Sequence, residues 1–103
     1  MGIVVTLQEK VNLQSIATVQ QQIVEAIEAD ADVALDISGV VDADLSFVQL
    51  LEAARQYAAQ DNKLLRLTQP ASPDCAALLE RAGFLSPASA ETLDFWFQGS
   101  RPN

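Results

Sequence analysis

Asp36, Asp42 and Asp44 fall within a single nine-residue stretch. Clustered carboxylates are what a hard cation such as Mg²⁺ needs, because several oxygens must converge on one point. Such a pocket would suggest an aspartyl-phosphate receiver. A receiver also needs paired acids after its first strand and a lysine after its last, and here the first strand runs into Gln8-Glu9-Lys10. The three aspartates therefore read as a strand-end residue, a loop residue and a helix cap, and neither a metal nor any other cofactor is expected. Cys75 is the sole cysteine and the chain has no histidine. No imidazole can activate that thiol or build a Ser-His-Asp relay, and most zinc chemistry is excluded with it. No glycine-rich phosphate loop precedes a helix. The expectation is a protein that is not an enzyme.

The elements that must hold these residues follow from periodicity. Ile3-Val4-Val5-Thr6-Leu7 is β-branched and apolar, as a first strand should be, and Val11 is placed in a short partner strand. Met1-Gly2 and the residues after it match a loose myristoylation pattern, which a strand at the same place would consume. After Asn12, read as an N-cap, Ile16, Val19, Ile23, Ala26 and Ile27 recur at helical spacing. Asp30-Ala31-Asp32 breaks that helix, and Val33 to Ile37 form a central strand closed by Ser38-Gly39.

A second helix is expected from Asp44 to about Gln60, because the carboxylate can accept from first-turn amides and favours the positive end of the helix dipole. Phe47, Leu50, Leu51, Ala54, Tyr57 and Ala58 are assigned to its inner stripe, with Gln49, Glu52, Gln56 and Gln60 outside. Leu45 falls with the outer set, so an apolar side chain at the helix start is expected to face solvent.

Lys63 to Thr68 reads as a strand after the Asp61-Asn62 turn. Ser72 and Pro73 should open a third helix whose inner side holds Cys75, Leu78, Leu79 and Ala82, and Gly83 should close it. Phe84 and Leu85 are expected to turn back onto the core. The period-two alternation of Leu93, Phe95 and Phe97 suggests an extended segment. Phe95, Trp96 and Phe97 are read as self-docking aromatics in preference to partner anchors. Strands alternating with helices imply an α/β domain, here a roughly four-stranded mixed sheet covered by about three or four helices. One domain is expected over residues 1–85, with a tail over 86–103 docked on it.

Composition narrows the partners. Half of the 103 residues are hydrophobic and 19% are charged, enough for a core. Six Lys and Arg against fourteen Asp and Glu give a net charge of −8, which repels nucleic acid and anionic lipid. Apolar runs are far short of the roughly 20 residues needed to span a bilayer, and no basic segment followed by an apolar signal core opens the chain. One cysteine cannot close an internal disulfide, so a reducing cytoplasm fits.

Asp36-Ile37-Ser38-Gly39-Val40, a short insert, Asp44 and an apolar helix, then Ala82-Gly83-Phe84, resemble the hallmarks of STAS domains, and the resemblance spans roughly positions 3 to 85. In that family a strand ending in Asp-Leu-Ser leads to an Asp-Ser-Ser-Gly or Asp-Ser-Ala-Gly segment that starts a helix. Here the segment is Asp44-Leu45-Ser46-Phe47. The resemblance implies a binding module such as an anti-sigma-factor antagonist, a stressosome component, the cytoplasmic end of an anion transporter or a subunit of a lipid-transport ATPase. Antagonist members are phosphorylated by a partner kinase on the serine after the aspartate, where this chain has Leu45.

Ser46, one position on, is a candidate substitute phosphoacceptor. A helix start favours an added phosphate by about 0.3–1 kcal/mol, whereas unit charges 4 Å apart repel by about 4 kcal/mol at an effective dielectric of 20. Asp42 and Asp44 outweigh the dipole, so Ser46 reads first as a small helix-start residue. The expected partner face is Asp42, Asp44, Leu45, Ser46 and Phe47. The expected partner is an anti-sigma factor, a histidine-kinase-like protein or a chemotaxis component in bacterial signalling. The alternative is an accessory role in a membrane lipid or anion transporter.

Overall fold

The computed structural model describes residues 2–83 and 90–98. The chain divides into two compact units, Met1–Thr68 and Gln69–Asn103.

The first unit holds β1 (Ile3–Thr6), β2 (Lys10–Val11), α1 (Ile16–Ala29), β3 (Asp32–Asp36), β4 (Asp42–Ala43), α2 (Leu45–Gln60) and β5 (Leu64–Leu67). β1, β3 and β5 form a three-stranded parallel sheet in the order β1-β3-β5, with Val5 opposite Leu35 and Leu35 opposite Leu67. β2 and β4 pair separately, also in parallel, Lys10 opposite Asp42 and Val11 opposite Ala43. The expected α/β class is what the chain adopts. Within it every described strand pair is parallel, and the strands divide three plus two where one mixed four-stranded sheet was expected. The physical reason is that a helix, α1 or α2, lies between the two members of every paired set, and such a crossover returns the chain in the same direction.

Val5, Leu7, Val33, Leu35, Ile37, Leu65 and Leu67 are buried on one face of the sheet. α1 packs on β1, β3 and α2, and α2 packs on β5. On the other face Val4, Leu64 and Arg66 are exposed, and Arg66 Nε donates to Asp32 Oδ1 at 3.2 Å.

α1 starts later than its expected cap. Ser15 is the residue before the helix, and Asn12 opens a closed turn instead, its side-chain oxygen accepting the Gln14 N–H and its carbonyl the Ser15 N–H. An Asn side chain that finds a nearby amide in a turn has no need of a helix to satisfy it. At the far end Lys63 Nζ donates to the Ile27 carbonyl at 2.7 Å, a cation at the negative end of the dipole.

α2 keeps its expected bounds, and Asn62, at φ 56°, makes the left-handed turn after it. Its inner face is rotated from the expected one. Glu52, assigned to the outer stripe, is only 7% exposed and accepts from Arg55 Nη2 at 2.5 Å, while Tyr57, assigned inside, is exposed and donates to Glu28 Oε2 at 3.4 Å. Val48, Leu51 and Ala54 set the buried direction, and Glu52 shares it because it lies four residues from Val48.

The second unit holds α3 (Pro73–Arg81) and α4 (Ala90–Phe97). Ser72 caps α3 by accepting the Cys75 N–H at 3.2 Å, Pro73 begins it, and Gly83 at φ +84° follows it, all as expected. α4 overturns the extended reading of the tail. Thr92, Phe95 and Trp96 are buried at i, i+3 and i+4, a helical spacing that outweighs the period-two alternation of Leu93, Phe95 and Phe97. The Trp96 carbonyl accepts from the Ala71 N–H at 2.7 Å. The expected return of Phe84 and Leu85 lies outside the described residues.

Candidate partner-binding site

Chain geometry brings two segments together at the ends of the short strands. The Glu9 carbonyl accepts from both Val41 N–H and Asp42 N–H, at 2.9 and 3.1 Å, and the β2–β4 ladder continues from there. The turn after β2 thus lies beside the start of α2. Asn12 Nδ2 donates to Asp42 Oδ2 at 3.2 Å, and the Leu13 N–H donates to Asp44 Oδ2 at 3.1 Å.

Asp44 is the cap that the sequence predicts, with one further task. Its Oδ1 accepts the Ser46 N–H at 3.0 Å and the Ser46 hydroxyl in a short contact, while Oδ2 holds Leu13. The Ser46 hydroxyl, helped by the Leu13, Ser46 and Phe47 amides and opposed by partial burial, holds the Asp44 carboxyl below its ordinary range. Asp44 is therefore ionised at neutral pH. Asp36 at the end of β3 is lowered in the same manner, first by the Ser38 hydroxyl at 2.6 Å and then by the Ser38 N–H. Each carboxylate is engaged by its own turn, and Asp44 by the Leu13 amide as well. Among the described residues, no group of three or more His, Cys, Asp or Glu could hold a metal ion.

Four of the five predicted face residues lie at or near the surface. Asp42 is exposed, Asp44 and Ser46 are half-buried, and Leu45 is 46% exposed, as the helical period required. Phe47 departs from the predicted face. Two residues on from Leu45, about 200° round the helix, it turns into the core at 1% exposure. Its place among the inner-stripe residues is the expectation that stands.

Sequence reasoning missed Leu13 and Val41, 75% and 78% exposed, and the linking role of Asn12. A signal was present for Leu13, a lone apolar residue in Asn12-Leu13-Gln14-Ser15, a run with turn character. For Val41, adjacent to Val40 in a loop, there was none.

Chemistry elsewhere is muted. Cys75 is half-buried, and burial pushes its thiol up to about 11, away from nucleophilic use at neutral pH. Phe95 and Trp96 meet edge to face with ring centroids 5.2 Å apart, and with Phe97 they are buried, which fits self-docking aromatics. No helix among the described residues is long and apolar enough to cross a membrane.

No curated protein and no solved structure matches the chain. A family model described as "Mlab, STAS domain" matches residues 2–86. That span takes in the strand-end Asp36, the capping Asp44 and all of the first unit from Gly2 onward. The chain belongs to the STAS domain family.

Proposed function

We propose that this chain is a non-catalytic, cytoplasmic regulatory module that binds a partner protein through the start of α2, in the manner of anti-sigma-factor antagonists, within bacterial signalling. STAS domains are in general binding modules. The observation that carries the reading is Leu45: a large apolar side chain, 46% exposed, at the head of a helix whose cap is an ionised carboxylate. Such an exposed apolar residue in an acidic rim suits a contact surface. The partner is an anti-sigma factor, a histidine-kinase-like protein or a chemotaxis component.

Ser46 is the position at which phosphorylation would end the interaction. Its hydroxyl donates to Asp44, so a phosphate there would remove that donor and set two anions side by side. Intact-mass measurement after incubation with candidate kinases tests this, and no mass gain with any of them removes Ser46 as an acceptor.

The decisive experiment is affinity capture from native cytoplasm with wild type and a folded Leu45→Asp variant in parallel. Capture of a named signalling protein by wild type alone supports the role and the site. Equal capture by both moves the interface elsewhere. A second reading, an accessory STAS subunit of a membrane lipid or anion transporter, rests on the same family membership. Transporter subunits in the same capture would establish it.

A further inference from the structure

We infer that the contact surface extends from the head of α2 to the turn after β2, with Leu13, Val41 and Leu45 as its apolar centre. Asp44 is its positioning residue, and the partner surface it fits has an apolar centre ringed by Lys and Arg. This rests on the proposed function above and adds two contact residues, a positioning role and a partner chemistry to it.

The argument begins with exposure. Six large apolar residues are exposed among those described, and Leu13, Val41 and Leu45 are three of them. Leu13 lies twenty-eight or more residues from the other two, yet hydrogen bonds draw the three backbones to one place. Leu13 N–H is 3.1 Å from the carboxylate that directly precedes Leu45, and Val41 N–H shares the Glu9 carbonyl with Asp42, which in turn holds Asn12. An isolated exposed leucine is ordinary, but three apolar side chains gathered by long-range bonds are what a contact surface requires.

Asp44 brings Leu13 to the head of α2. One oxygen serves the helix and the other serves Leu13, thirty-one residues away in sequence. A cap needs only the first. The second fixes the turn against α2, so that the surface is formed before a partner arrives and less ordering is required on binding.

Charge selects the partner. The two segments carry Glu9, Asp36, Asp42 and Asp44 against Lys10 alone, in a chain of net charge −8. A second copy of this chain would be repelled, whereas a basic rim would be steered in.

The test places a photoreactive benzophenone side chain at position 13, 41 or 45 in cells, with position 64 as a control, since Leu64 lies at the other end of the strands. The expected result is one and the same protein linked from 13, 41 and 45 but not from 64, through a segment with apolar residues flanked by Lys or Arg. With that protein purified, Leu13→Asp and Val41→Asp should each weaken binding about tenfold or more, as a central contact does, and rising salt should weaken the wild-type complex. Linkage from 45 alone, with both variants binding normally, overturns the extended surface and leaves the proposed function standing. Linkage from none of the three overturns both. An acidic linked segment overturns the partner chemistry.

The positioning role has its own readout. Asp44→Asn keeps the shape but has one acceptor oxygen, so it cannot hold the Ser46 and Leu13 amides together. The Leu13 amide proton should move upfield and exchange about tenfold faster, the factor that follows from losing about 1.4 kcal/mol. Leu45→Asp should leave it unchanged. A Leu13 amide unaffected by Asp44→Asn overturns the role.

Discussion

α2 and α3 begin in the same way and to different ends. Each is opened by a side-chain oxygen that accepts an amide of the first turn, Asp44 from Ser46 and Ser72 from Cys75. The cap of α3 is local: Pro73 fixes the backbone, Asp74 meets the positive end of the dipole, and the Ser72 side chain serves Cys75, while only the preceding backbone, through Ala71 N–H, is tied to Trp96. The start of α2 lacks an acidic residue in its first turn and puts Leu45 there instead. Its cap spends a second oxygen on another segment of the chain. A capping side chain that serves only to begin a helix binds its neighbours in sequence. One that also shapes a surface reaches across the fold.

That contrast is open to measurement. Asp44→Ala should be the more damaging truncation, at about 2–3 kcal/mol by urea unfolding, because it removes a cap and charge-assisted bonds to Ser46 and Leu13 together. Ser72→Ala should cost about 1 kcal/mol, the ordinary loss of a cap. Equal costs would mean that the bond to Leu13 adds nothing to stability.

Asp44→Asn should cost less than Asp44→Ala, about 1.4 kcal/mol, since Asn is itself a good cap and the bond to Leu13 is what is lost. Its distinguishing mark is pH. The folded Asp44 carboxyl lies below its ordinary value of 3.8, so its stabilisation is fully present above that value and is lost as pH falls through the lower, folded value. The stability gap between wild type and Asp44→Asn should therefore be level near neutrality and close in acid. The gap to Ser72→Ala should not change with that titration. Smallest of all is Leu45→Asp, which should shift stability by no more than about 0.5 kcal/mol, as exposed positions do, while it abolishes capture of the partner.

Much of this was legible in the residues. Capping chemistry at Asp44 and Ser72, the turn at Asp61-Asn62 and the left-handed Gly83 are written locally, and α2 and α3 begin and end where those signals place them. The exposure of Leu45 followed from counting around a helix whose start was known. What stayed hidden was set at long range. Lys10–Val11 and Asp42–Ala43 are too short to show a period, and Asp42-Ala43 has no β propensity, so nothing local announces their pairing. Without that pairing, Leu13 and Val41 have no reason to be linked to Leu45. Glu52 was misplaced because a charge argues for solvent until a partner such as the half-buried Arg55 is seen. α4 was misread because Thr92 was not counted as inward-facing.

The all-parallel pairing also governs how this protein reaches its fold. Ile3 meets Val33, Lys10 meets Asp42 and Asp32 meets Leu64, so each strand pair joins residues thirty or more apart and no hairpin offers a nearby starting point. Closing a loop of that size costs on the order of 3 kcal/mol in chain entropy before its first rung forms. The helices between the strands can shorten that search, since α1 and α2 form from local contacts and carry strand ends toward each other. The contact surface, which depends on the β2–β4 rungs, is then among the later features to assemble, and a nascent chain would acquire its core before it could recognise a partner.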